Sequence, residues 1–142
     1  MADIIEQLLA AMNRHDAGAL AALFAADYRS EQPLHPNRGF GGSDQVLANW
    51  TSVFEGVPDF SAERLSSATA EGVVWAEMRW KGTYRDGSPF LMCGVTVLGV
   101  REDKVAWARL YMEPVEQGGA DIEGAVRELY HSPQDADGAA DA

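Results

Sequence analysis

The chain has 142 residues, with 22 acidic and 11 basic side chains and a formal net charge of -11. This length fits one domain with a substantial core, and a hydrophobic content of 46% is ordinary for a folded protein. The negative charge repels phosphate backbones and anionic lipid surfaces, so we expect no nucleic-acid and no membrane partner. Cys93 is the only cysteine, which excludes an internal disulfide. Without a basic leader or an apolar run of membrane-spanning length, the chain is expected to be cytoplasmic.

Helical spacing dominates the first part of the chain. Asp3 and Glu6 have the spacing of a capping box, and Asp16 can cap a second, short helix. Residues 28–32 are then predicted to be extended, and residues 33–42 form a loop by composition. The first helix is indicated by five apolar residues that share one face: Ile4, Ile5, Leu8, Leu9 and Met12.

A third helix precedes a run of strands. We expect Ser43 to cap this helix, and its apolar stripe consists of Val46, Leu47, Trp50, Val53 and Phe54. Period-two alternation then predicts strands over 59–70, 73–84, 89–100 and 105–114. A last helix is expected near 121–131. Helices followed by antiparallel strands indicate an α+β fold. We predict a single domain over 1–131 and a flexible acidic tail over 132–142.

Three of the strands carry large apolar residues on one parity, and such residues line a single surface because successive side chains of a strand alternate between faces. The sets are Ala76, Met78 and Trp80; Phe90, Met92, Gly94, Thr96 and Leu98; and Ala106, Ala108, Leu110 and Met112. The opposite parity carries Glu77, Arg79, Arg109, Tyr111 and Glu113. Methionine and tryptophan linings suit a hydrophobic small molecule, although each residue alone is also compatible with plain core.

The order of several segments resembles a known family. "LFAADYRSEQPL", "VFEGVPDF", "GTYRDGSPFLMCGVTVLGVREDKVAW" and "ARLYMEPV" together are similar to the SnoaL-like branch of the nuclear transport factor two superfamily. The resemblance covers residues 3–115. It implies a cone-shaped α+β barrel, with N-terminal helices packed into a strongly curved antiparallel sheet. The fold hosts cyclases, isomerases, epoxide hydrolases and non-catalytic modules, so it does not determine the function.

The resemblance places the catalytic positions of relatives on residues that lack their chemistry. In ketosteroid isomerases the oxyanion tyrosine falls at Leu8, the general base at Gln32 and the proton-donating aspartate at Thr96. A leucine donates no hydrogen bond, and a glutamine has no useful basicity near neutral pH. Dienolate chemistry of that kind is therefore not expected.

Two other branches of the family lead to the same result. In limonene-type epoxide hydrolases, an arginine and an aspartate fall at Met78 and Trp80, and the final-strand aspartate falls at Leu110. The two water-holding residues fall at Ser30 and Gln32. The acid/base aspartate of SnoaL cyclases falls at Leu110 or Met112. A one-residue register shift would instead turn charged residues inward, and we do not expect it because it would bury those charges.

The remaining polar candidates lie on the extended segment and the loop. Tyr28, Ser30 and Gln32 share the inward parity and offer hydrogen-bond donors and acceptors, although Ser30 could equally satisfy backbone groups. His35 in the loop is either an acid/base group or merely solvated. Arg38 is placed either to bind a carboxylate or enolate or to form a surface salt bridge.

We therefore predict a catalytic group of Gln32, Tyr28 and His35. The three histidines lack metal-ligand spacing and no cofactor motif is present, so neither a metal nor a cofactor is expected. The predicted substrate-binding residues are Ser30, Trp50, Phe54, Met78, Trp80, Phe90, Met92, Thr96, Leu110 and Met112.

Two functions fit these features. The favoured one is a cyclase- or isomerase-type enzyme acting on a hydrophobic substrate, such as a polyketide-like compound, by holding it in a dry cavity. The alternative is a non-catalytic ligand-binding or dimerisation module. Trp107 and Tyr111, beside Val95 and Val97, also predict a homodimer through the outer sheet face. The alternative cover for that face is the last helix, through Ile122, Val126 and Leu129.

Overall fold

The computed structural model describes residues 3–132. The predicted acidic tail, apart from Ser132, lies outside the described residues. The helices are α1 (Ile4–Asn13), α2 (Ala17–Ala21), α3 (Ser43–Gly56) and α4 (Ile122–Tyr130), with a short 3-10 turn at Pro36–Arg38. The strands are β1 (Phe24–Glu31), β2 (Phe40–Gly41), β3 (Ser61–Ala70), β4 (Val73–Thr83), β5 (Pro89–Arg101) and β6 (Lys104–Pro114).

Side-chain caps fix the starts of three helices. The Asp3 carboxylate accepts a hydrogen bond from the backbone N–H of Glu6, and Asp16 and Asp121 cap α2 and α4 in the same way. The expectation for α3 was wrong. Gly42 occupies its N-cap position with a φ of 92°, and Ser43 is the first helical residue. The chain needs this left-handed conformation to turn from β2 into the helix, and glycine adopts it without steric cost.

The strands form one curved, unclosed sheet in the order β2-β1-β6-β5-β4-β3. Neighbouring strands run antiparallel except for β1 and β6, which pair in parallel, with Ser30 opposite Ala108. The expectation of an antiparallel sheet is thus corrected at this one pair. β1 follows closely after α2 and runs in the same direction as β6. Just before β1 begins, the carbonyl of Leu23 accepts a hydrogen bond from the N–H of Val105 at 2.8 Å. The first helices consequently cover one face of the sheet.

The predicted inner face is confirmed across β4, β5 and β6. Cross-strand partners join its members directly: Trp80 with Met92, Met78 with Gly94, Gly94 with Met112, Ala76 with Thr96, Thr96 with Leu110, and Leu98 with Ala108. One predicted member is misplaced. The register shifts between Gly99 and Val100, so Val105, opposite Val100, takes the inward position predicted for Ala106, and Ala106 is buried within the bulge. A bulge of this kind inserts one residue and reverses the parity of the residues beyond it.

The opposite face of the sheet and the last helix remain open in the single chain. Trp75 is 42% exposed on this outer face, although Val97 beside it is buried. The indole of Trp107 lies across Gly99 and beneath the guanidinium of Arg109, 4.7 Å from the ring centre. Helix α4 buries none of its residues. Within the described part of the chain, no helix is long and apolar enough to cross a membrane.

Candidate functional site

An apolar cavity of about 110 Å³ lies between the first helices, α3 and the inner face of the sheet. Known ligand pockets commonly enclose roughly 300–1,000 Å³, so this cavity suits a small ligand. Its walls come from α1, α3 and five segments of the sheet and are built from Ile5, Leu8, Met12, Phe24, Tyr28, Ser30, Gln32, Phe40, Val46, Asn49, Trp50, Met78, Trp80, Thr96, Leu98, Ala108 and Leu110.

Eight of the predicted site residues meet at this cavity. They are Tyr28, Ser30, Gln32, Trp50, Met78, Trp80, Thr96 and Leu110. Strand alternation brings seven of them together, since β1 and the residue after it contribute alternate side chains and the paired inner faces of β4, β5 and β6 contribute the others, while Trp50 comes from α3. Five predicted residues are not part of its lining: His35, Phe54, Phe90, Met92 and Met112.

Aromatic packing explains why some of these residues lie away from the cavity. Phe54 stacks on His15 with ring centres 4.9 Å apart. Phe90 packs against Phe60 at 6.0 Å and against Tyr84 at 5.5 Å. These rings fill the space beyond Trp80, and such packing closes off that end of the sheet. The inward parity of Phe90 was therefore correct, but strand parity does not show how far along a strand the cavity extends.

The two methionines take other positions in the same face. Met112 is 5% exposed and belongs to the packed core, where it lies opposite Gly94. Met92 is partly buried against that core, opposite Trp80. Both side chains therefore support the cavity wall without forming its surface.

His35 forms a pair that sequence spacing could not show. Its Nε2 lies 2.7 Å from Oε1 of Glu113, and both side chains are about one-third exposed, at 35% and 38%. Glu113 neighbours the inward Met112 on β6, so the carboxylate belongs to the opposite parity. This contact attaches the loop after β1 to the end of β6. It places the histidine outside the cavity lining.

The positions singled out by the family resemblance do gather at the cavity. Leu8, Gln32, Thr96, Met78, Trp80, Leu110 and Ser30 all line it. Among the lining residues, Tyr28 is the only one with an ionisable side chain. Burial raises the pKa of the Tyr28 phenol above its usual 10.0, because the phenolate would lose hydration, and a hydrogen bond with the Ser30 hydroxyl acts in the opposite direction. At neutral pH this phenol is protonated, so it is suited to donate a hydrogen bond and unsuited to remove a proton.

Two further polar atoms of the wall have unmet hydrogen-bonding capacity. Oγ of Ser30 and Nε1 of Trp80 are buried, and neither forms a hydrogen bond of ordinary geometry within the described chain. An indole N–H can only donate, and a hydroxyl donates or accepts. Buried polar atoms are usually paired, so the Trp80 N–H in particular marks a place where a bound molecule can supply the missing partner, whereas the Ser30 hydroxyl also interacts with the Tyr28 phenol.

Sequence reasoning missed Asn49 of α3. It lines the cavity, and its Oδ1 accepts a hydrogen bond from Nε2 of Gln45 at 2.7 Å. The signal was present: Val46, Asn49 and Trp50 have the i, i+3, i+4 spacing of one helical face. A polar residue within an otherwise apolar stripe indicates a surface that borders solvent or a ligand. Phe24 and Phe40 were also missed, because Phe24 was assigned to the second short helix and Phe40 to the loop over 33–42, whereas they are the first residues of β1 and β2.

Metal ligation has no structural support in the described residues. Over residues 3–132, no group of three or more histidine, cysteine, aspartate or glutamate side chains is placed to hold a metal ion. The polar residues that line the cavity offer hydrogen-bonding groups within an apolar enclosure.

The family comparison agrees with this architecture. A family model described as the SnoaL-like domain matches residues 5–108, and the chain belongs to this family. No curated protein matches the sequence at a significant level.

Several solved structures share the fold at low sequence identity. A protein with a ketosteroid isomerase-like fold from Catenulispora acidiphila, in complex with trimethylamine, is 19% identical, with a TM-score of 0.68; the match covers 77% of this chain and 84% of that one. A proposed isomerase from Bacillus subtilis is 17% identical, with a TM-score of 0.67 and coverages of 78% and 84%. A proposed polyketide cyclase from Sinorhizobium meliloti is 19% identical, with a TM-score of 0.62 and coverages of 80% and 95%. These similarities establish the common fold.

Proposed function

We propose that this protein is a cyclase- or isomerase-type enzyme that acts on a small hydrophobic substrate, such as a polyketide-like compound, inside the apolar cavity. One observation carries the proposal: the cavity has apolar walls and a group of polar side chains on β1, but no carboxylate, imidazole or amine among its lining residues. The similarity in fold to proteins described as a polyketide cyclase and an isomerase supports the class of reaction.

Catalysis in such a site depends on position and on hydrogen-bond donation. Holding the reacting atoms together in a dry cavity can supply roughly 7–11 kcal/mol in favourable cases. In this proposal the Tyr28 phenol and the Gln32 amide, which both line the cavity, donate hydrogen bonds to a carbonyl oxygen as negative charge develops on it. A protonated Tyr28 fits this function, since its raised pKa keeps the donor proton in place.

The lining also favours a second candidate function, the binding of a hydrophobic ligand without conversion. A cavity that has no acid/base group with a pKa near neutrality lacks the usual means of proton transfer. A carrier and an enzyme would share the same wall and the same donors. They differ in whether the bound compound leaves the protein altered.

The test begins with native mass spectrometry of the protein as isolated. A bound small molecule, released and identified, defines the ligand, and incubation with a sample of it shows whether the protein converts it. For an enzyme, Gln32→Leu should lower turnover about tenfold or more, as removal of a donor from a charge-stabilising site does, with little change in the free energy of unfolding. Full activity in both Gln32→Leu and Tyr28→Phe would contradict the proposed mechanism, and an unaltered ligand would support the carrier.

We also propose a homodimer through the outer sheet face. The face presents Trp75, Trp107 and Tyr111, of which Trp75 is exposed and the other two are half-buried. The last helix does not cover it in the single chain, because Ile122 and Leu129 remain 77% and 74% exposed. Exposed aromatic patches of this kind commonly mark contacts between protein molecules.

A further inference from the structure

Arg38 contacts the side-chain amide of Gln32, a residue of the cavity wall. Its Nη1 donates a hydrogen bond to Oε1 of Gln32 at 3.2 Å. The 3-10 turn at Pro36–Arg38 holds the arginine in place, with the N–H of Arg38 bonded to the carbonyl of His35 at 2.9 Å. Gln32 itself lines the cavity, whereas Arg38 is exposed at the loop surface.

The chemistry of the two groups allows only one orientation. A guanidinium has donors and no acceptor, so the oxygen of the Gln32 amide must turn toward Arg38. The amide nitrogen, with its two N–H donors, is then left for the cavity side. The pair formed by Gln45 and Asn49 is different, because two amides can exchange donor and acceptor by rotating together.

From this geometry we infer that Arg38 is a positioning residue that fixes Gln32 as a hydrogen-bond donor and thereby selects ligands that present an acceptor. The inference rests on the proposed function, since it concerns the ligand of the same cavity. Trp80 adds a second donor-only group to the wall, because its buried indole N–H is unpaired. The cavity therefore favours an apolar molecule that carries carbonyl-like oxygens and disfavours one whose only polar group is an N–H or O–H donor.

Three bicyclic probes of similar shape separate these preferences. Indane has no polar group, 1-indanone has one acceptor, and indole has one donor. Isothermal titration calorimetry with the wild-type protein should show that 1-indanone binds about fivefold more tightly than indane, which corresponds to one net hydrogen bond. Indole should bind more weakly than 1-indanone.

Substitutions of Arg38 then test its positioning effect. Arg38→Glu presents an acceptor to Gln32, so the amide should reverse and turn its oxygen to the cavity. The ratio of 1-indanone affinity to indole affinity should fall about tenfold, as one hydrogen bond is lost and another gained. In Arg38→Lys the new side chain also has donors and no acceptor, so the ratio should stay as in the wild type. Arg29→Glu makes the same charge change on the exposed side of β1 and is the matched control.

The outcomes separate this inference from the proposed function. If all three probes bind and the ratio is the same in Arg38→Glu and wild type, the positioning effect is refuted while an apolar binding cavity stands. A purely structural contribution of Arg38 would weaken the three probes together and leave the ratio unchanged, which also refutes the inference. If no probe binds the wild-type protein, the proposed cavity function fails, and the inference fails with it.

Discussion

Tyr28 shows how burial alone can give a side chain its chemical character. It is 3% exposed, its ring contacts Phe24 at 4.7 Å between ring centres, and burial raises the pKa of its phenol. From the sequence alone, Tyr28 was a candidate catalytic residue whose protonation state was not known. In the structure burial keeps the phenol protonated at neutral pH and so available as a donor. The contact of Arg38 with the oxygen of the Gln32 amide is the basis for the inference that Gln32 is a donor as well. The first effect comes from enclosure by the tertiary fold, and the second from a side-chain contact across six residues of an irregular loop; the alternation of apolar and polar residues contains neither.

The raised pKa of Tyr28 predicts a specific loss of stability in alkali. The unfolded chain ionises near pH 10.0 while the folded phenol stays protonated. Stability from this group is therefore complete below that pH and declines as the pH rises from there through the folded pKa. Urea unfolding of wild type and Tyr28→Phe should be compared at about pH 8 and pH 10.5. The free energy of unfolding should decline more in the wild type, and the difference should be less than about 1.36 kcal/mol, the energy that corresponds to one pH unit.

An exposed tyrosine provides the control for this measurement. Tyr130 is 80% exposed, so Tyr130→Phe should decline with pH just as the wild type does. Equal declines in wild type and Tyr28→Phe would contradict the assignment of a buried, protonated phenol.

Among the elements, one contact between β6 and the loop after β1 shapes the edge of the site. The His35–Glu113 pair attaches the loop that carries Arg38 to the end of β6. We expect Glu113→Ala to raise amide hydrogen exchange across residues 34–39. Both side chains are more than a third exposed, so the cost in stability should stay within about 1 kcal/mol.

A second ion pair serves as the comparison for the loop measurement. Glu63 pairs with Arg79 at 3.0 Å between β3 and β4, far along the sheet from the loop. Glu63→Ala should leave exchange across residues 34–39 as in the wild type. Exchange that is also unchanged in Glu113→Ala would show that the pair does not hold the loop.

Local patterns were sufficient for most elements but not for their pairing. The four long strands end within two residues of their predicted bounds, because period-two alternation and the turns at Gly72, Gly87 and Asp103 are local signals. The parallel pairing of β1 with β6 depends on where the first helices place β1. The bulge that moves Ala106 depends on the register of two strands. The alternation of apolar and polar residues along a strand predicts neither the parallel pairing nor the bulge.

The candidate site was also predictable only in part. Inward parity correctly brought Ser30, Gln32 and Thr96 to one cavity. The helical residue Asn49 was not predicted to line the cavity, because the face of α3 was identified from its apolar residues alone. Phe90 is not part of the lining because its ring packs against Phe60, which lies 30 positions earlier in the chain. Side-chain packing of that kind is set by the tertiary fold.

At the scale of the whole molecule, the open outer face predicts association. Light scattering at micromolar concentration should report about twice the chain mass of 15.4 kDa. Trp75→Glu should shift the protein toward the monomer, because it places a charge in the centre of an apolar contact. A monomeric wild type would contradict the proposed dimer.

The control for the dimer is an equally apolar residue on another surface. Leu34 in the loop after β1 is 63% exposed, and Leu34→Glu should leave the mass unchanged. A matching change at the last helix, Leu129→Glu, shows whether that helix takes part in the contact. If Leu129→Glu dissociates the protein and Trp75→Glu does not, the interface lies on the helix and the outer sheet face is free.

The apolar cavity is proposed to bind a molecule through donors on its wall and without an ionised group. A crystal structure of the protein with 1-indanone tests this most directly. We expect the ring system between α3 and the inner sheet face, with the carbonyl oxygen within about 3.2 Å of Nε2 of Gln32 or of the Tyr28 phenol. A carbonyl oxygen bound instead at the His35–Glu113 pair, with the cavity unoccupied by the probe, would contradict the account.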